Sequence, residues 1–329
     1  MAAFLAAARP TEPMQHLTEL LTSIVPIVAI VSIGVLCRHL RIWDKSATRS
    51  LNSYAYYIAL PALFFQSIYA TRLATLLSPT HVRLLVGVVI AHAVVFVLAL
   101  VLMAVFRPPK TTRAIVPMLL VFGNFAYLGV PFALNTFGVE STSYVTLLSI
   151  VMAVTTLFLS LLALNWQLGD SSGRNAFRRF AELPFLWAVV AGVIVSWWNI
   201  PIPGFIAKTV DIVAGSAGPT ALLALGAFDY DLRLKDVNIL TAFLLGAGKV
   251  LLTGAATFIV LKLLGITGLP LVVGTTMGAV SIAVTAFVLT DQYKANRALT
   301  DAAIAVSSVS AFVALTVISF LWFSTGVFK

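Results

Sequence analysis

The chain has 329 residues, of which 60% are hydrophobic and only 10% charged, and its mean hydropathy is +1.02. A soluble domain carries about 25% charged residues, so this composition excludes a water-soluble class and leaves an integral membrane protein. The formal charge of +9 would ordinarily raise nucleic acid as a partner, but the placement of the basic residues accounts for it without one. The single cysteine, Cys37, excludes an intrachain disulfide and a cysteine-based metal site.

Ten hydrophobic stretches follow one another at 17–37, 50–70, 82–106, 114–138, 142–166, 184–199, 205–228, 237–261, 268–292 and 299–325. Each is of the order of the ~20 residues that a bilayer crossing takes. All ten are expected to be helices, because lipid offers no water to open backbone groups. The alternating apolar–polar strands of a membrane barrel are absent from the sequence. Fourteen of the 21 Lys and Arg residues fall in alternate gaps: 38–49, 107–113, 174–182, 229–236 and 294–301. Cytoplasmic loops collect Lys and Arg. The alternation therefore predicts ten spans with both termini outside, in a cell inner or plasma membrane. The expected organisation is an outside tail at 1–16, a first five-helix repeat at 17–166, a cytoplasmic basic linker at 167–183 and a second repeat at 184–329.

Five is odd, so the second half must enter the membrane from the opposite side, and any likeness between the halves is an inverted repeat. There is such a likeness. Span two carries Pro61 before an Ala/Leu run, and span seven carries Gly218 and Pro219 before another. Spans four (FGNFAYLGVP, 122–131) and nine (MGAVSIAVTA, 277–286) are both Gly-containing and dotted with polar residues. Interrupted segments at corresponding positions of two halves point to a transporter binding site.

In span four, Gly123, Asn124, Gly129 and Pro131 lie near the middle. Proline removes a helical hydrogen bond, and Asn124 offers two donors and an acceptor. A half-helix N-terminus exposed there carries partial positive charge, a sensible receptor for a carboxylate. Bonding of Asn124 to a neighbouring helix explains the same residues. In span nine, Ser281 and Thr285 are four apart and would share a helical face, with Thr275, Thr276 and Thr290 nearby. Such hydroxyls also bond back to their own helix. Lys249, 12 residues into span eight, is the strongest ionisable candidate for coupling or gating. A lysine at a helix centre costs roughly 2.5–3.5 kcal/mol on insertion scales, so it should face a partner, a carbonyl cluster or water. Asp211 is the nearest carboxylate candidate, with Lys208 as a local partner, and His92 in span three could titrate.

The stretch GNFAYLGVP (123–131) resembles the Asn-x-x-x-x-Gly-x-Pro signature of the auxin efflux carrier family, which includes bacterial malonate and malate permease-like proteins and is related to the bile acid/sodium symporters. LNSYAYYIALPALFFQSI (51–68) resembles that family's second helix, DIVAGSAGPTALLALGAF (211–228) its seventh and AFVLTDQY (286–293) the end of its ninth. The resemblance covers roughly 25–320. It implies an all-α protein of ten transmembrane helices in two inverted five-helix repeats, with helices four and nine broken and crossing at mid-membrane. The substrate anion would bind at that crossover. Helices one, two, six and seven would form a scaffold against which the others move. Asn124 would contact the substrate carboxylate and Pro131 would open helix four. The family pattern has proline at Ser281 and often asparagine at Thr285, so helix nine here would have to break without proline, with Gly278 and small polar residues permitting it.

The function implied is a secondary active or facilitative transporter of small organic anions, with the lipid bilayer as its medium and a homodimer left open. No cofactor is expected; a proton or sodium ion is the candidate coupling ion. The alternatives are a sodium-coupled carrier of the bile-acid symporter type and a ligand sensor of the same fold that carries no flux. Among enzymes, GAFDYD (226–231) loosely resembles aspartyl intramembrane proteases but lies at a helix end, and Lys249 with Ser281 could make a Ser/Lys pair only if the fold joined them.

Overall fold

The structure is a computed structural model that describes residues 12–70, 78–168, 184–231 and 237–324. Residues 1–11 of the tail and 169–183 of the linker lie outside these residues, as do the basic residues Arg174, Arg178, Arg179, Arg233 and Lys235. Among the described residues the fold is all-helical, with no strand beyond one isolated bridge.

Helices occupy all ten hydrophobic stretches. The first half comprises α1 (Glu12–His39), α2 (Lys45–Tyr54) continued through a π-turn (Ala55–Ala59) into α3 (Leu60–Tyr69), and α4 (Pro79–Phe106). It goes on with α5 (Lys110–Val121), a π-turn (Phe125–Gly129) leading into α6 (Val130–Phe137), and α7 (Thr142–Leu168). The second half comprises α8 (Pro184–Trp197), α9 (Gly204–Gly215), α10 (Ala217–Asp231), α11 (Ile239–Leu263), α12 (Gly268–Gly278), α13 (Ala286–Gln292) and α14 (Arg297–Ser324). Each half thus repeats one order: a helix, an interrupted helix, a long helix, a broken helix and a long helix. Helix α1 starts at Glu12, inside the expected tail.

Among the described residues, five segments are long and apolar enough to cross a membrane: Pro79–Phe106, Val139–Leu168, Gly204–Tyr230, Ile239–Leu263 and Arg297–Ser324. Ile24–His39, Phe125–Phe137, Leu186–Trp197 and Gly268–Gly278 are shorter apolar helices. The apolar surface of α4 runs all the way round. Leu84, Val88, Ala91, Val95 and Ala99 are buried against protein, while Val86, Val94, Val97, Val101 and Val105 on other faces are exposed. A helix apolar on every face belongs in a lipid-like surrounding.

Packing divides the helices into two groups. In one, α1 lies along α10, and α8 and α9 both pack on α3. The α1–α10 pair is drawn close by glycine: a Cβ at Gly226 would stand 1.9 Å from the Val31 carbonyl oxygen, and one at Gly34 would stand 2.3 Å from that of Leu223. Gly192 of α8 lies in the same way against Ile68 and the Phe65 carbonyl of α3. Small residues let membrane helices approach at backbone distance. In the other group, α11 packs against α14, α4, α5 and α12, and α5 packs against α7 and α4.

The two π-turns have one cause. The backbone N–H of Leu60 reaches the carbonyl of Ala55, and that of Val130 reaches Phe125, each five residues back. Both residues precede a proline, Pro61 or Pro131, which has no N–H to offer and crowds the turn before it. A wider turn ahead of the ring relieves that clash. In α10, Pro219 comes just after the interruption at Ser216. The prolines thus mark irregular helix as expected, but Pro131 does not open helix four. The backbone leaves the helix at 122–124, seven residues before the proline and upstream of its π-turn.

Candidate binding site at the paired helix breaks

The opened stretch after α5 lies antiparallel to the opened stretch after α12. Asn124 N–H donates to the Ser281 carbonyl at 2.8 Å, and Ala283 N–H donates to the Phe122 carbonyl at 3.0 Å. Gly123 and Ile282 form the bridge between these bonds. Each break therefore satisfies part of the other's backbone, which a helix interrupted in an apolar medium requires. Ser307 of α14 adds a third tie by accepting from Ile282 N–H at 2.9 Å.

Helix nine breaks with no proline. Its residues 279–285 are non-helical, so Ser281 and Thr285 do not share a helical face. Lys249 of α11 reaches this break. It is fully buried and donates through Nζ to the Val280 carbonyl, with the Gly278 carbonyl at 3.4 Å. Thr253, one turn along, donates to the same Gly278 oxygen at 2.7 Å. Lys249 thus faces a carbonyl cluster, one of the three surroundings its cost demanded. Ser281 Oγ is buried without a hydrogen-bond partner, so no Ser/Lys pair forms.

A cavity of about 460 Å³ opens beside the paired breaks, within the usual range for a small-molecule site. Of the sequence candidates, Gly123, Asn124 and Thr285 line it. Asn124 is 4% exposed and its Nδ2 has no partner. The amide caps no helical N–H, and its buried Nδ2 keeps unused donors within a residue that lines the cavity. Just beyond it the Phe125–Phe137 segment begins, and the first N–H groups of a helix have no acceptor within it. Asn124's own carbonyl accepts from Leu128 and Gly129.

The remaining candidates fall elsewhere. Gly129 is where the two broken helices touch: a Cβ there would meet Met277 Sδ at 2.7 Å. Pro131 is buried and stands next to Gly218 of α10. His92 is buried behind the helix-four break, edge-on to Phe125 at 5.9 Å, with Nδ1 against the Val88 carbonyl and Nε2 unpartnered. Asp211 is exposed and accepts from Gln66 Nε2 at 2.6 Å, and it pairs with neither Lys249 nor Lys208. Thr275 bonds back to Leu271, as membrane hydroxyls often do.

Much of the cavity wall was not among the sequence candidates. Tyr56, Tyr57 and Tyr127, together with Phe64, Phe122, Phe125, Phe228 and Phe287, make it strongly aromatic. Asn52, Ser149 and Thr156 add polar groups, and the Tyr127 hydroxyl donates to Asn52 Oδ1 at 2.6 Å. The signal was in view: Asn52, Tyr56 and Tyr57 lie in the very stretch, 51–68, that resembles the family's second helix. No Lys, Arg, His, Asp or Glu lines the cavity among the described residues.

The membrane transport protein family matches the chain twice, over residues 19–173 and 172–319. The chain belongs to this family, that of the auxin efflux carriers. Two matches of one family, one per half, agree with the repeated helix order. Among curated proteins it is 26% identical over 217 residues to one from Rhizobium meliloti (strain 1021) named "Putative malonate transporter". That alignment covers 64% of this chain and 67% of the relative. It is 23% identical over 206 residues to an uncharacterized transporter of Methanothermobacter thermautotrophicus, covering 62% of this chain and 66% of the relative. The protein is a multi-pass membrane protein of a transporter family, and such families move small molecules across bilayers.

Proposed function

We propose that this family member carries small organic anions by alternating access, binding the carboxylate at Asn124 where the two helix breaks cross. The observation that carries the reading is the buried Asn124 Nδ2, unpartnered on a cavity wall beside a helix N-terminus. A carboxylate there would receive the amide donors and the field of the half-helix.

The cavity supports a further choice of substrate class. It offers donors for one carboxylate and aromatic surface for the rest, with no cation among the described residues to neutralise a second carboxylate. Burying an unpaired charge is expensive. An acid with one carboxylate and an apolar or aromatic body fits this wall better than a dicarboxylate such as the malonate of the relative's name.

The arrangement also supports ten spans in two inverted repeats, with both termini outside. Asn52, Phe228 and Leu289 lie toward the ends of their helices that adjoin the basic gaps at 38–49, 229–236 and 294–301. By the charge rule those gaps face the cytoplasm, so the cavity is in its cytoplasm-facing state. The α1, α2–α3, α8 and α9–α10 group would be the scaffold, and the group around α11 would carry the breaks past it.

The test is uptake of labelled malonate, malate, lactate and indole-acetate into proteoliposomes, with and without sodium and pH gradients, beside Asn124→Ala. Saturable uptake of the aromatic monocarboxylate, reduced at least tenfold in a folded Asn124→Ala, is expected. Undiminished uptake by the variant would refute the site, and preference for malonate would refute the substrate class.

A further inference from the structure

Helix α12 ends at Gly278, and the chain does not resume a helix until Ala286. A helix end leaves carbonyls unpaired and carries partial negative charge. In membrane carriers with broken helices, unwound carbonyls and half-helix C-termini are where coupling cations are held. Here that position is already filled. The Lys249 ammonium reaches the carbonyls of Val280 and Gly278, and Thr253 Oγ1 closes the group, 2.7 Å from the Gly278 oxygen and 2.5 Å from the carbonyl of Lys249 itself. The surroundings are backbone and hydroxyl oxygens, the donor set a small monovalent cation would take, and Lys249 is wholly enclosed.

We propose that Lys249 is a resident cation: its ammonium occupies the place a coupling sodium ion would otherwise take at the helix-nine break, so the carrier runs without sodium. The inference rests on the anion-carrier reading above and deepens it. A tethered cation holds the break open in every state of the cycle, which explains how helix nine stays broken without a proline. It also places one positive charge behind the break, since Val280 is three residues from the cavity-lining Ala283, and the cavity lining itself has none among the described residues. A tethered ammonium cannot diffuse away as a sodium ion does, so it adds no sodium gradient to the substrate's own.

Two readouts on the purified full chain test this. The first is thermal unfolding in choline, sodium and ethylammonium chloride, which needs no substrate. The wild type is expected to melt at one temperature in all three. Lys249→Ala, which vacates the space, is expected to melt lower in choline and to rise with sodium or ethylammonium concentration, as binding to the native state requires. Lys249→Met, which fills the space without charge, is expected to melt low and to respond to neither. The second readout is uptake. Wild-type rates should be equal in sodium and choline, and Lys249→Ala should lose at least tenfold in choline and regain part in ethylammonium. A wild type that melts higher or transports faster in sodium overturns the proposal, as does Lys249→Met behaving as wild type. Should Lys249→Ala fail to fold, the wild-type comparison of sodium with choline still decides. A wild type that transports none of the acids refutes the carrier reading and leaves the melting result to judge the resident cation alone.

Discussion

At the helix-four break the chain interrupts itself: Gly123 and Asn124 leave the helix, a π-turn follows, and Pro131 fixes the wider winding. At the helix-nine break the segment has no proline, and what holds it open comes from other helices: Lys249 and Thr253 of α11 and Ser307 of α14. The two stretches nevertheless meet antiparallel and bond to each other. Opening a helix in an apolar medium is chiefly a matter of where the freed carbonyls and N–H groups go. Beyond that shared pairing, one half satisfies the Asn124 carbonyl within its own local sequence, and the other draws on donors from α11 and an acceptor from α14. The difference also sorts their roles. The self-interrupted half presents Asn124 to the cavity, while the supported half is braced from behind.

The largest effect expected from steric change falls on the braced side. A Cβ at Gly278 would meet Thr257 Oγ1 at 2.5 Å and the Thr253 carbonyl oxygen at 2.9 Å. Gly278→Val therefore forces α11 away from α12, at a cost of about 3 kcal/mol, and disturbs the Lys249 and Thr253 bonds together. At Gly123 the nearest atoms belong to the Phe125 ring, 2.4 Å away. Gly123→Ala is expected to turn that ring into the cavity, weakening substrate binding more than it lowers the melting temperature. Thermal unfolding of both variants, with uptake measured alongside, checks the contrast. Equal melting losses would break it.

Helix positions were legible because a bilayer imposes a length and an apolar composition on each segment. The irregular points were partly legible too, since proline and glycine act locally: Pro61 and Pro131 each follow a π-turn. The place of the helix-four opening is not legible from Pro131, because the non-helical residues 122–124 lie upstream of the proline and its π-turn. The pairing with Ser281 and Ala283 accompanies that opening, and no local pattern records a contact across about 160 residues of chain. The same limit hid the cavity wall. Asn124 stood out as an amide in an apolar helix, whereas Tyr56, Tyr57 and Tyr127 read as ordinary membrane aromatics until the fold gathered them. Lys249 announced its need for a partner, but only packing shows that the partner is the end of another helix.

A smaller loss is expected at Ser307. Its Oγ accepts from Ile282 N–H and itself donates to the Ile304 carbonyl at 2.8 Å. In Ser307→Ala the buried Ile282 N–H loses its acceptor, at a cost of about 1–3 kcal/mol. Ser307→Thr keeps the oxygen and should recover part of the stability if the added methyl fits. A melting temperature unchanged in Ser307→Ala would mean that the helix-nine break does not depend on α14, and that the donors of α11 suffice.

The smallest effect is expected at Ser281, the position where the family pattern has proline. Its carbonyl holds Asn124, but its hydroxyl is buried with no partner and lines no part of the cavity. Removing an unsatisfied buried hydroxyl while leaving the backbone alone should be neutral or slightly stabilising, so Ser281→Ala is expected to match the wild type in both melting and uptake. Ser281→Pro sharpens the point. The Ser281 N–H makes no hydrogen bond outside the helices, and its segment is already non-helical, so proline loses no ladder bond there. The substitution should be tolerated if Lys249 and the pairing with helix four already set the path of the chain. A Ser281→Ala variant that loses uptake would instead make the hydroxyl part of the site, and would shift the second half of substrate recognition from Thr285 to the turn itself.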